Sequence, residues 1–306
     1  MEKGVLITYM GAPSNLKEVK PFLYRLFSDR EIINFGVPAF LQKPLAYLIA
    51  TFRAPKVKPQ YEAIGGGSPL VKYAKEQVEL LKERIEEKVF LGMLYSEPLL
   101  EKVAKEVVKL GIKELSHITL YPQFSYATTG ACIKEVEKLL GGKVKLKHVK
   151  SWCTNPYYVE WVKEGIRKKL KKELKNPVIL FSAHGLPEYF VKERKDPYPQ
   201  EVEKSVSLVM EEFKSIPYKI SYQSKVGPIK WLEPSTESQL RKIKEEGYEE
   251  VILFPISFVS EHIETLYELD VEYAELAREL GLKFLRVKLN HRSPLLIEAL
   301  KSSLKA

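Results

Sequence analysis

Along the chain, short runs of apolar and β-branched residues alternate with longer segments whose apolar positions recur at helical spacing. The short runs fall at residues 5–9, 88–93, 117–120, 144–149, 178–181, 219–222, 251–254 and 284–287. Within each run the hydrophobicity is continuous rather than alternating, as expected of strands buried on both faces in parallel sheets covered by helices. The pattern predicts an α/β protein.

The intervening segments carry clear helical signatures. Residues 68–87 place Pro69 in a first turn and then Val71, Ala74, Val78, Leu81 and Ile85 on one face. Residues 98–110 and 199–213 read the same way. Four strands precede residue 150 and four follow it, and a basic segment, 168–175, leads through Asn176-Pro177 into the second set. This predicts two Rossmann-like domains, 1–150 and 151–291, each a four-stranded parallel sheet flanked by helices. A last helix within 292–306 would return to the first domain. The repeat is one of pattern, without sequence identity between the halves.

Composition narrows the functional classes. The chain has 306 residues, with 49 Lys and Arg against 40 Asp and Glu, a formal charge of +9. The sign favours anionic partners. Its lysines are scattered rather than clustered with base-stacking aromatics, so no nucleic acid is expected. Two cysteines, Cys132 and Cys153, exclude a disulfide framework, a four-cysteine zinc site and an iron–sulfur cluster held by this chain alone. The first residues lack a signal-type apolar region, and no stretch approaches the ~20 apolar residues of a membrane span. A cytoplasmic protein, peripheral on the membrane at most, is the expectation.

Ligands of open parallel sheets bind beyond the carboxyl ends of the strands, and the unusual residues gather there, as if both domains aimed loops at one cleft. His184 ends an apolar run and precedes Gly185, which puts its imidazole at a strand mouth. There it suits a general base at neutral pH. Residues 260–273 form an acidic stretch in a basic protein. Read as a helix, they set Glu261, Glu264 and Glu268 on one face at i, i+3 and i+7, with Glu272 a turn on and His262 beside them. Such a row needs a helix N-terminus, solvent or a cation to offset its repulsion, and carboxylates with imidazole suit a loosely held divalent first-row ion. A solvated acidic face would produce the same spacing.

Gly65-Gly66-Gly67-Ser68-Pro69 opens a helix without matching a nucleotide-binding loop, so its free N–H groups suit a carboxylate or a structural turn. Arg53 and Tyr61 stand upstream as further donors. Residues 34–52 are rich in Phe, Leu, Ile, Tyr and Pro, including Phe35, Phe40 and Phe52. They fit either a buried helix or an apolar lip for a flat ligand or a membrane.

Taken in order, the motifs resemble those of ferrochelatases over nearly the whole length. They are Met10-Gly11-Ala12-Pro13; Tyr24-Arg25-Leu26-Phe27-Ser28-Asp29; Tyr61 with Ile64 to Pro69; Tyr121-Pro122-Gln123 with Thr128-Thr129-Gly130; Ser182-Ala183-His184; Asp196-Pro197-Tyr198; Tyr222 to Pro228 with Trp231-Leu232; and His262 to Asp270.

The resemblance implies two Rossmann-like domains and insertion of ferrous iron into protoporphyrin IX, with iron as substrate and no tightly bound cofactor. It makes His184 the active-site histidine and Glu264 its opposed carboxylate, with His262 and Glu268 along a route for metal or protons; the helical row adds Glu261 to the metal candidates. Met10 matches a position where users of protoporphyrin carry methionine and users of coproporphyrin carry tyrosine. Arg53, Tyr61 and Ser68 match propionate-binding positions, and Tyr121 and Trp231 match the pocket wall. The lip matches a mouth that faces an anionic membrane surface, and no iron donor is implied. Tyr126 stands where some members carry a [2Fe-2S] ligand and no cysteine-bearing tail follows, so no cluster is expected. Ser96-Glu97-Pro98 and Asn155-Pro156 stand where some members have histidines. Rival readings are a coproporphyrin or other tetrapyrrole chelatase and, from a different class, a non-catalytic haem or metal carrier.

Overall fold

The computed structural model describes residues 2–33, 35–170 and 173–305. Asn34, at the start of the apolar stretch, and Lys171 and Lys172, in the basic segment, lie outside them. The chain divides into two compact units. One takes in Met1–Leu120, Tyr126–Lys150 and Leu300–Ala306; the other takes in Tyr121–Ser125 and Ser151–Ala299.

In the first unit the order is β1 (Lys3–Tyr9), α1 (Val19–Ser28), α2 (Ala39–Ala63), α3 (Leu70–Lys82), β2 (Lys88–Met93), α4 (Leu100–Lys109), β3 (Glu114–Thr119), a short π-helix π1 (Tyr126–Gly130), α5 (Ala131–Leu140) and β4 (Lys145–Val149). The second unit continues with α6 (Pro156–Arg167), β5 (Pro177–His184), α7 (Glu188–Lys192), α8 (Tyr198–Met210), β6 (Tyr218–Gln223), α9 (Thr236–Glu245), β7 (Glu250–Pro255), a ten-residue π-helix π2 (Glu264–Tyr273), α10 (Ala274–Glu279), β8 (Lys283–Arg286) and α11 (Pro294–Lys305), whose last residues count with the first unit. All eight predicted strands are present, and the fold class is the expected one.

Both sheets are parallel and share one strand order, β2-β1-β3-β4 and β6-β5-β7-β8. Strands β1 and β5 are interior and apolar almost throughout, each with helices on both faces. In the second sheet Val178 and Leu180 pack with Leu240 and Ile243 of α9 and with Leu269 and Ala277. Each such side chain, when fully buried, contributes about 1.5–3 kcal/mol. Register places the units in correspondence. The last β1–β3 pair is Thr8 with Thr119, and the last β5–β7 pair is Ser182 with Pro255. Two residues beyond stand Met10-Gly11-Ala12-Pro13 and His184-Gly185-Leu186-Pro187, a shared X-Gly-X-Pro turn that strand pattern alone does not expose.

Helix α2 does not bear out the buried-helix reading of the apolar stretch. Its buried face is small and polar: Ala46, Ala50 and Ala54 sit with Gln42, whose amide donates to the carbonyls of Phe27 and Ile33. The large apolar groups lie outward, with Phe40 76% and Phe52 68% exposed and Leu41, Tyr47 and Leu48 beside them. Among the described residues no helix is long and apolar enough to cross a membrane.

Candidate active site at the ends of β5 and β7

With the order β6-β5-β7-β8, connections leave β5 and β7 toward opposite sides, and the crevice at such a switch point is where open sheets take ligands. His184 is the last residue of β5. Its neighbour must be glycine, because the Gly185 N–H donates to the Gln223 carbonyl at 2.7 Å and a Cβ would stand 2.4 Å from that oxygen. The Tyr198 phenol donates to the His184 carbonyl at 3.0 Å and accepts from the Ser257 hydroxyl at 2.6 Å, while the His184 N–H reaches Ser257 Oγ at 3.3 Å. The backbone of His184 is thus pinned from β7's loop and from α8. Tyr198 stands in the Asp196-Pro197-Tyr198 motif without an assigned role, and for Ser257 only its partner, a strand-end histidine, is a hint.

The imidazole Nδ1 lies 2.9 Å from Glu264 Oε2, with 37% of the His184 side chain and 29% of Glu264 exposed. His262 Nε2 lies 3.6 Å from the same oxygen, and its Nδ1 donates to the Ser260 carbonyl at 3.2 Å. The Phe258 ring stands by both imidazoles, 6.2 Å from His184 and 4.3 Å from His262. Burial disfavours charge on His184 and on Glu264, but each outweighs that for the other. His184 is held above the ordinary histidine range and Glu264 well below the usual carboxylate range.

One turn on, Glu268 accepts from the Ser224 N–H at 2.7 Å, the Ser224 hydroxyl at 2.5 Å, the Tyr273 phenol at 3.0 Å and the Gln223 amide at 3.2 Å. Ser224 adopts a left-handed φ of 66°, which lets its N–H and its hydroxyl meet the same carboxylate. Burial and then the Glu264 charge nevertheless raise the Glu268 pKa. Glu272 is exposed, and burial with the Glu268 charge raises it too. Glu268, Glu272 and Tyr273 border an open pocket of about 440 Å³ with Lys225 and Glu237. A deprotonated carboxylate beside His184, followed by carboxylates of higher proton affinity, can hand protons outward.

The structure changes one part of the expected row. The acidic segment is a π-helix that begins only at Glu264, so Glu261 does not share its face. Glu261 is instead buried, with Oε1 2.7 Å from Arg286 Nη1 and 2.7 Å from the Leu289 nitrogen. His184, His262, Glu264 and Glu268 come together without it. Among the described residues no three His, Cys, Asp or Glu side chains form a cage that could hold a metal ion.

Of the remaining candidates, Tyr121 and Trp231 belong to the second unit and are half-buried, and the Trp231 indole N–H donates to the Val226 carbonyl at 3.0 Å. Met10, Arg53, Tyr61 and Ser68 belong to the first unit. Met10 is half-buried after β1, and the Gly11 that follows it has φ 87° and no room for a Cβ, which would stand 2.2 Å from Ser96 Oγ. Arg53 is half-buried and Tyr61 buried, both on α2. Ser68 is buried; its N–H donates to the Pro13 carbonyl at 2.8 Å, and its hydroxyl accepts from the Leu70 N–H at 3.3 Å at the start of α3.

A family model described as ferrochelatase matches residues 2–306 of the chain. Ferrochelatase of Aquifex aeolicus (strain VF5) is 42% identical over 100% of this chain and 99% of that protein. Those of Gloeothece citriformis (strain PCC 7424), 42% over 97% and 80%, and of Sulfurihydrogenibium sp. (strain YO3AOP1), 38% over 97% and 96%, are similar as well. Among solved structures, SirB from Bacillus subtilis with Fe3+ aligns over 99% of this chain and 96% of that one, with a TM-score of 0.62 and 12% identity, a likeness of fold.

Proposed function

The chain belongs to the ferrochelatase family, and from that membership we propose that it inserts Fe2+ into protoporphyrin IX, releasing two protons, as the terminal step of haem biosynthesis. The observation that carries the reading is the contact of His184 with Glu264 at the β5/β7 switch point. Metalation requires a base for the pyrrole N–H protons and a negative group that tolerates an approaching cation, and these two side chains supply both. His184 receives a pyrrole proton when its imidazole is neutral, and the Glu264 carboxylate stabilises the charge it gains. Glu268, with its raised proton affinity, takes the proton on, and Glu272 returns it to solvent. Protein groups arranged for the charge that develops during insertion lower its barrier without tight binding of the ground state.

Met10 supports protoporphyrin rather than coproporphyrin, and Arg53, Tyr61 and Ser68 are the proposed propionate donors. The outward apolar groups of α2, next to the basic excess of the chain, support a cytoplasmic protein that touches an anionic membrane surface peripherally. Two cysteines are too few for a four-cysteine cluster, so we propose a reaction without one.

The test is anaerobic incubation with protoporphyrin IX and Fe2+ or Zn2+, following the visible bands of the free porphyrin. Loss of those bands faster than in a protein-free control is expected, and no such loss would overturn the assignment. Faster metalation of coproporphyrin III than of protoporphyrin IX would overturn the inference drawn from Met10.

A further inference from the structure

Strand β8 ends on Arg286, whose side chain is 4% exposed. Its Nε and Nη2 each lie 2.5 Å from an oxygen of Asp270, its Nη1 lies 2.7 Å from Glu261 Oε1, and Nη1 also donates to the Val287 carbonyl at 3.2 Å. The guanidinium therefore holds two carboxylates at once, one of them in a planar fork that no other side chain reproduces. Glu261 lies just ahead of π2 and Asp270 lies within it. Between these two anchors stand Glu264 and Glu268, which meet His184 and Ser224, and His262, which lies beside Glu264.

A π-helix is a rare element, found mostly at functional sites. Its course here is fixed from outside by Arg286 on one flank and by the contacts of Glu268 on the other. The first unit offers an internal control. Arg286 pairs with Leu253 across β7–β8, and the corresponding residue across β3–β4 is His148, paired with His117. His148 also reaches a carboxylate, Glu137 at 2.9 Å, but through one point and on α5, the ordinary α-helix that follows π1. Of these two corresponding positions, the forked cation stands at the one whose unit presents Glu264 and Glu268.

Resting on the reading that Glu264 and His184 handle the ion and the protons, we propose that Arg286 is a positioning residue of the insertion reaction. It sets Glu264 and Glu268 in place by clamping Glu261 and Asp270, and it touches neither of the groups it positions. Removing the fork should loosen the site before it unfolds the unit.

Arg286→Lys keeps the charge and loses the fork. Cobalt(II) is titrated onto the full-length, porphyrin-free protein, and the component of binding absent from Glu264→Gln is taken as the site. In Arg286→Lys this component should weaken about ten- to a hundredfold, the range seen when groups that orient metal ligands are changed. Zinc insertion should show a raised KM for zinc with a lowered kcat, an unchanged KM for protoporphyrin IX, and a Tm near that of the wild type. A purely structural role would lower Tm and the active fraction while leaving the KM for zinc alone, and that outcome, or unchanged cobalt affinity in a folded variant, overturns the proposal. Should Arg286→Lys not fold, Asp270→Asn decides instead, since it releases the fork at π2 and leaves Arg286 on Glu261: weaker cobalt binding supports positioning, and wild-type binding overturns it. Arg167→Met, which removes a surface fork to Glu212, should match the wild type throughout. A wild type that binds cobalt through Glu264 yet metalates no porphyrin overturns the functional reading and leaves this one standing; a wild type without Glu264-dependent cobalt binding overturns this one.

Discussion

The carboxyl ends of β1 and β3 and those of β5 and β7 are the same place in the same fold, equipped differently. Both sheets have one strand order, both first strands run into an X-Gly-X-Pro turn, and both third strands lead into a π-helix. At the second end the register position holds His184, half-exposed and paired with Glu264; at the first it holds Met10, with no charge. The first unit's histidines lie deeper. His117 is fully buried, its Nε2 2.7 Å from the Thr8 hydroxyl and its Nδ1 2.8 Å from His148 Nδ1, and His148 leans on Glu137. One unit thus spends its titratable groups at the strand mouth, where substrate can meet them, and the other hides them inside the sheet layer, where they can only affect stability. Fold symmetry supplies two equivalent strand ends, and on the proposed reading side-chain chemistry selects one for proton transfer.

The largest expected effect tests that selection. His184→Ala should lower zinc insertion by about a hundred- to ten-thousandfold, the usual worth of a positioned acid–base group. Met10→Ala, at the corresponding position, should change it by roughly tenfold or less, mainly through the KM for porphyrin, as expected for lost apolar contact. Equal losses in kcat would break the comparison.

Next in size is the response of the buried histidine to acid. Burial and the neighbouring His148 hold His117 down to about 3, against an ordinary value of 6.5. Above that ordinary value the folded and unfolded chains are both neutral at this residue. Below it the unfolded chain binds a proton that the folded chain refuses, so stability falls with falling pH between the two values. By pH ~5 the loss should be about 2 kcal/mol, read as a drop in urea midpoint relative to pH ~7. His117→Gln should lose less over the same interval. An equal loss would place the acid sensitivity elsewhere and remove the contrast with Leu253, the apolar residue at the same register in the second sheet.

The pH dependence of turnover should follow from the other crevice. His184 cannot accept a proton while it holds one, so kcat/KM should rise with pH through its raised pKa. The Glu264 charge and, behind it, that of Glu268 raise His184. Replacing Glu268 with Gln removes one of these negative neighbours, and the acid limb should then move to lower pH. A shift upward or no shift would mean that another group controls the limb.

How much of this was legible in the sequence depends on whether the cause was local. Strands such as β5 and β7 are readable because a parallel strand buried on both faces leaves an unbroken apolar run, and His184 is readable because it ends one. The course of the acidic segment was not. Its spacing fits an α-helix, and the wider π turn is set by partners distant in the chain, Ser224 for Glu268 and Arg286 for Asp270. Glu261 was placed with the metal route on the same grounds, whereas its partner is an edge-strand arginine 25 residues on. His117 and His148 left one faint signal, a histidine in each of two strands at matching register, which becomes meaningful only once the pairing of β3 with β4 is known.

The smallest expected effect separates a working row of carboxylates from a merely solvated one. Glu264 meets two imidazoles, Glu268 four donors, and Glu272 lies at the exposed end with none of these contacts to lose. If the row hands protons outward, its members should matter in order of their distance from His184. Glu264→Gln should then impair zinc insertion most and Glu272→Gln by roughly twofold or less, since water can replace an exposed carboxylate at the solvent end. Equal impairment by the two substitutions would make the row an electrostatic surface acting through its summed charge, and its effect would fade with added salt because exposed charges are screened. A graded series that persists at high salt would instead tie the function to individual hydrogen-bonded carboxylates along π2; the corresponding helix of the first unit, π1, carries no acidic residue.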